Sequence, residues 1–135
     1  MLRKIASILV ISTIILGCGK KPTPTPPPPP SEENIVFLID PDPGTATQTA
    51  TSGSYTFKVN VTSKMPTSGV KIDWTTKQDA TGSLLETKSV ESSISVVDIT
   101  TSTLASGTLY NVTVTVTSKS KTSNTATKTF KVARK

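Results

Sequence analysis

The most chemically committed residue in the chain is Cys18, the only thiol, which closes an apolar leader and has no second cysteine to pair with. Histidine is absent, so the usual general base and the commonest zinc ligand are both missing. The acids Glu32, Glu33, Asp40, Asp42, Asp73, Asp79, Glu86, Glu91 and Asp98 are scattered, and their spacing proposes no carboxylate pair. Asp40-Pro41-Asp42 offers two calcium-type ligands with no further ligand pattern. Ser68 to Lys71 and Ser118 to Lys121 both match Ser-x-x-Lys, which supplies nucleophile and base in some acyl-transfer enzymes. In a chain this rich in serine and lysine, chance accounts for both. The expectation is therefore a protein that is not an enzyme, with no catalytic residue, cofactor or metal.

The segment that delivers Cys18 is a secretory leader over residues 1–17. Met1 to Lys4 is a short cationic start, and Ile5 to Leu16 is an apolar run of about a dozen residues. A spanning helix needs about twenty apolar residues, and Gly17, Cys18, Gly19, Lys20 and Lys21 end this run too soon. The sequence Ile15-Leu16-Gly17-Cys18 resembles the lipobox of bacterial lipoproteins, with a branched apolar residue three before the cysteine and a small one directly before it. The resemblance implies that Cys18 receives a diacylglycerol and becomes the first residue of the mature chain. Two or more acyl chains anchor a protein stably where one holds it only marginally. Gly19 is not the aspartate that this family uses for inner-membrane retention, so the resemblance also implies outer-membrane sorting. The side of that membrane that the protein faces is left open.

Residues 18–33 form the tether. Pro22, Pro24 and the run Pro26 to Pro30 favour a polyproline II helix, which at about 3.1 Å per residue reaches roughly 35 Å. Residues 34–135 remain to fold, enough for one domain with its own core and no disulfide. Asn34 to Asp40 reads as a first strand whose run Ile35 to Ile39 does not alternate. Either both of its faces are covered, which is the preferred reading, or one presents apolar surface to a partner. Ser54 to Thr62 alternates cleanly, with Tyr55, Phe57, Val59 and Val61 inward. Val70, Ile72 and Trp74 repeat the pattern, and Gly82 marks a turn before Leu84 and Leu85. In Ser92 to Thr100, Ile94 and Val96 lie on one parity and Val97 and Ile99 on the other, which predicts a bulge near Val96. Tyr110, Val112, Val114 and Val116 alternate again, and Phe130 and Val132 face inward in a closing strand.

About seven short strands without a helix predict an all-β fold, a single antiparallel β-sandwich. The phrase Leu104-Ala105-Ser106-Gly107-Thr108-Leu109-Tyr110-Asn111-Val112 resembles the turn into the sixth strand of fibronectin type III and related immunoglobulin-like domains. The resemblance implies a tyrosine corner at Tyr110, its hydroxyl bonded to the preceding loop, and a core tryptophan at Trp74. The short separation of the two fits a compact immunoglobulin-like or PKD-like variant better than fibronectin type III itself.

The formal charge is +6, but Arg3 and Lys4 leave with the leader. Lys119, Lys121, Lys128, Lys131, Arg134 and Lys135 crowd the C-terminal end, where lysines on an edge strand discourage pairing with another chain. All the large aromatics of the alternating strands face inward, so few rings remain to stack on sugars or bases, and nucleic acid is not an expected partner. The functional expectation is a lipid-anchored envelope lipoprotein displaying a noncatalytic interaction module. Its partners are the bilayer, through acylated Cys18, and an envelope or extracellular protein. A structural or accessory subunit of an envelope complex, pairing through Ile35 to Ile39 or an open sheet edge, is the alternative, with an enzyme third.

Overall fold

The computed structural model describes residues 31–135; the leader, Cys18 and the proline tract lie outside the described residues. The fold is all-β, with eight strands: β1 (Phe37–Asp40), β2 (Gln48–Ala50), β3 (Thr56–Val61), β4 (Val70–Gln78), β5 (Leu84–Ser92), β6 (Val96–Thr100), β7 (Thr108–Ser118) and β8 (Thr125–Arg134). They form a three-stranded sheet in the order β1-β3-β6 and a five-stranded sheet in the order β2-β8-β7-β4-β5. The two sheets pack face to face as a sandwich.

The alternating patterns fill the space between the sheets. Phe57 and Val59 of β3 are buried, as are Ile72 and Trp74 of β4, Val112, Val114 and Val116 of β7, and Phe130 and Val132 of β8. Phe57 and Phe130 meet across the core edge to face, with centroids 5.2 Å apart, and Tyr55 packs on both. The outer face of the larger sheet is hydroxylated. Thr113 pairs with Thr129, Thr115 with Thr127 and Thr117 with Thr125, hydroxyl to hydroxyl at 3.0–3.1 Å.

Three features differ from the sequence reading. There are eight strands rather than about seven, and the sandwich is not wholly antiparallel, because β2 pairs with β8 in parallel register. The chain leaves β1 on the small sheet, turns through Pro41, Pro43 and Gly44, and rejoins on the large sheet as β2. A three-residue strand with only Ala50 fully buried carries no alternation to read. The bulge predicted near Val96 is also absent: β6 runs in unbroken register against β3 from Asn60↔Val96 to Thr56↔Thr100. The ladder slips between Thr76 and Lys77, where β4 meets β5. Thus Val97 and Ile99 face the core, while Ile94 and Val96 face out.

Tyr110 is buried, and its hydroxyl accepts a hydrogen bond from the Ala105 N–H at 3.0 Å, closing the loop before β7 as expected. In that loop Leu104 is fully buried, and its carbonyl accepts a hydrogen bond from the Arg134 guanidinium. Tyr110→Phe removes the acceptor and leaves the Ala105 N–H unpaired. The variant should fold, with its urea midpoint lowered by an amount equivalent to about 0.5–1.5 kcal/mol.

Candidate interaction face

The small sheet has three strands, and aliphatic side chains stand exposed on its outer side at both edges. Ile35, Phe37 and Ile39 are buried, while Val36 and Leu38, on the opposite parity, are 53% and 50% exposed. The preferred reading of Ile35 to Ile39, with both faces covered, therefore gives way to the other: one face is open. On the far side of β3, Ile94 is 67% and Val96 42% exposed.

Register brings these residues together. Leu38, Asn60 and Val96 lie in one row across β1, β3 and β6. One step towards the start of β1, the Thr62 N–H donates to the Val36 carbonyl at 2.9 Å and the Val61 N–H donates to the Ser95 carbonyl at 2.8 Å. These bonds extend the pairing to Val36 and Thr62, and Ile94 lies in the bend just before β6, where its N–H donates to the Ser92 hydroxyl at 3.1 Å. In the other direction lies a charged row, Asp40, Lys58 and Asp98, in which Lys58 Nζ donates to Asp98 Oδ1 at 2.7 Å. The hydrogen bond and charge of Asp98 raise the Lys58 ammonium above its ordinary value. A shallow groove of about 450 Å³ opens here over Leu38, Asp40, Lys58, Asn60 and Val96. Four aliphatic side chains beside a charged row make a face suited to an apolar partner with a polar margin.

The chain enters the domain at a fixed point near this face. Asn124 is buried in the turn between β7 and β8; its Nδ2 donates to Glu32 Oε1 at 2.6 Å and to the Glu33 carbonyl at 2.8 Å. Its Oδ1 accepts the Ile35 N–H at 2.9 Å. The compact unit accordingly runs from Ser31 to Lys135.

The C-terminal basic residues do not form one free patch. Lys119 pairs with Glu91, and Lys131 lies 3.2 Å from Asp79. Lys128 sits on the core-facing parity of β8, opposite Val114, and reaches out with its ammonium 5.8 Å from the Phe37 ring centroid. An inward-facing lysine on an edge strand hinders the addition of another strand there.

Among the described residues, no hydrogen bond joins the serine hydroxyl to the lysine ammonium in either Ser-x-x-Lys segment. Lys71 is salt-bridged to Asp73 at 2.8 Å, and the Ser118 hydroxyl accepts the N–H groups of Ser120 and Lys121, closing a turn. Asp42 Oδ1 accepts the Gly44 N–H at 3.0 Å, a local turn contact. Among the described residues, neither Asp40 nor Asp42 joins a group of three or more acids, cysteines or histidines that could hold a metal. Cys18, the expected lipid attachment site, lies outside the described residues.

Sequence reasoning missed one polar cluster. Glu86, buried on the inner face of β5, accepts hydrogen bonds from the Thr76 hydroxyl at 3.0 Å, the Ser102 hydroxyl at 2.6 Å and the Ser102 N–H at 3.0 Å. Lys88 Nζ lies 3.0 Å from the same carboxylate and donates to the Ser102 hydroxyl at 2.9 Å. Burial alone would raise the Glu86 carboxyl, but bonds from the Ser102 side chain, Lys88, the Ser102 backbone and Thr76 outweigh it and hold the group below its ordinary value. That makes Glu86 a weaker base, poorly suited to activating Ser102; the cluster braces β5 to the β6–β7 connection. A lowered folded-state value stabilises the fold above the unfolded value and is lost as pH falls through the folded one. Glu86→Gln should cost about 1.5–3 kcal/mol near neutral pH. Between about pH 6 and about pH 3 the variant should lose less stability than the parent. Urea titrations at both values check this.

Compared with models of known protein families and with the sequences of curated proteins, the chain matches none. The reading of its function therefore stands on the residues themselves.

Proposed function

We propose that this protein is a lipid-anchored lipoprotein of the bacterial cell envelope, displaying a noncatalytic interaction module whose contact face is the outer side of the β1–β3–β6 sheet. The observation that carries the contact face is the row Leu38, Asn60 and Val96 across the three strands, with Leu38 and Val96 exposed and exposed Val36 and Ile94 just before their strands. The anchor rests on the leader ending at Cys18, and outer-membrane sorting on Gly19. The sandwich is an immunoglobulin-like variant, supported by its strand order and by the bond from the Ala105 N–H to the Tyr110 hydroxyl.

The proline tract serves as a semi-rigid spacer that holds the module away from the head groups. The carboxylates and hydroxyls found together are engaged in turns and braces, which supports binding over catalysis.

Cys18→Ser tests the anchor. The substituted chain should accumulate as an uncleaved precursor without an acyl chain, while the parent should show an acylated Cys18 at its mature amino terminus by mass spectrometry. A free thiol at Cys18, or cleavage elsewhere in the leader, contradicts the anchor.

A further inference from the structure

We infer that the open edge of β6 accepts an extended segment of a partner protein, added antiparallel as a fourth strand of the small sheet, with the pattern basic-x-apolar-x-apolar. This deepens the proposed reading and rests on it.

The backbone of β6 is half used. The Val61 N–H donates to the Ser95 carbonyl, and the Thr101 N–H donates to the Tyr55 carbonyl. In an antiparallel ladder successive residues alternate between bonding inward and outward, so Ser95, Val97, Ile99 and Thr101 bond to β3. Val96, Asp98 and Thr100 turn their N–H and C=O groups to the open side, where no strand follows β6 in the sheet among the described residues.

The other edges are guarded or short. β5 carries Glu86, Lys88 and Glu91, and β8 beyond its three-residue pairing with β2 carries inward-facing Lys128. β1 is four residues long and stops at Pro41, and β2 is three residues long. β6 holds no lysine; its inner face carries Val97 and Ile99, and its outer face sets exposed Val96 beside a single charge, Asp98. A strand edge of this composition is the one that pairs.

Side chains fix the pattern. The charged row reads Asp40, Lys58, Asp98 from β1 to β6, alternating in sign and ending in an acid at the open edge. The next position in the row suits a cation. The neighbouring row ends in exposed Val96, so the next outward position suits an apolar group, and exposed Ile94, in the bend just before β6, offers apolar surface to the one after it. β3 already shows one half of this arrangement: it runs antiparallel to β6 with Lys58 opposite Asp98. Two copies of β6 meeting at Asp98 would oppose like charges, which favours a different chain over a second copy.

The test uses the full mature chain in dodecyl maltoside, ¹⁵N-labelled, and the peptide Ser-Lys-Thr-Val-Thr-Val-Ser, capped at both ends, with a counterpart carrying Glu in place of Lys. The Lys peptide should slow amide exchange at Val96, Asp98 and Thr100 and leave Val97 and Ile99, already bonded to β3, unchanged. It should bind about tenfold more tightly than the Glu peptide, and Asp98→Lys should invert that order. Asp98→Asn, which keeps the shape, should reduce the preference without inverting it. The inference is overturned if millimolar peptide leaves those three amides unprotected. Protection on β1, β5 or β8 instead, a peptide preference that ignores residue 98, or self-association of the chain through β6 would overturn it equally. If the edge fails while cross-links from the sheet face still form in cells, only this inference falls; if those are missing too, the interaction reading falls with it.

Discussion

Trp74→Ala should destabilise the domain by about 3–5 kcal/mol, read as a fall in the urea midpoint with little change in slope. The ring lies mid-strand in β4, opposite Val114, and is 8% exposed. Its removal leaves a cavity between sheets of unequal width, which cannot close without breaking the β4 pairings to β5 and β7. The indole N–H is buried with no hydrogen-bond partner. Trp74→Phe therefore gives up part of the ring but also relieves an unpaired donor, and it should cost far less than alanine. A loss below about 1 kcal/mol for Trp74→Ala would show that the ring does not fill the core.

Gly69→Ala should come next, at about 2–3 kcal/mol, since two separate penalties meet there. Gly69 has φ +79°, in the left-handed region, and an added Cβ would stand 2.4 Å from the Ser92 carbonyl oxygen. That oxygen belongs to backbone at the end of β5 and has nowhere to swing. The Gly69 carbonyl also accepts the Lys119 N–H at 3.1 Å, so a shift propagates to the end of β7. Gly82→Ala is the matched control, with φ +69° but open space around the added carbon; it should cost only about 1 kcal/mol. Equal losses at the two sites, measured by chemical denaturation, would mean that the contact with Ser92 yields freely.

How much of this was legible in sequence depended on whether a strand has a dry face. β3, β4 and β7 are central, each with one face on the core, and their alternation was plain. Tyr110 was legible because its motif couples a turn to a strand. β5 was nearly invisible: it overhangs the smaller sheet, so its inward positions include Glu86 and Lys88 rather than a run of aliphatics. The Glu86 cluster escaped for the same reason, since Thr76, Glu86 and Ser102 converge only through strand pairing. A carboxylate two residues before a lysine, on a strand without an apolar face, was the one available signal. β6 misled in the opposite sense. Two apolar parities suggest a bulge, whereas Ile94 belongs to the bend between β5 and β6, and the regular edge strand that follows has a dry face and exposes Val96. β1 has the same ambiguity, and only the absence of a covering layer on the outer side resolves it.

The brace at Glu86 and the exposed rows on the small sheet point to different tasks for the two ends of the polar inventory. Buried Glu86 and Thr76, with half-buried Ser102, hold the edge of the wide sheet in place, leaving the narrow sheet's outer face free of that duty. That face is where an interaction module would spend its apolar surface.

The most direct measurement of the central claim is site-specific photo-crosslinking of the full-length chain in the cells that produce it, with a photoreactive side chain placed at Leu38, at Val96 or at Thr115. Leu38 and Val96 sit on the exposed aliphatic face, and Thr115 lies on the hydroxylated outer face of the large sheet. A common protein adduct from Leu38 and Val96, absent from Thr115, is the predicted result. Adducts from Thr115 alone, or none from either site on the small sheet, would contradict the claim that this face makes the contact.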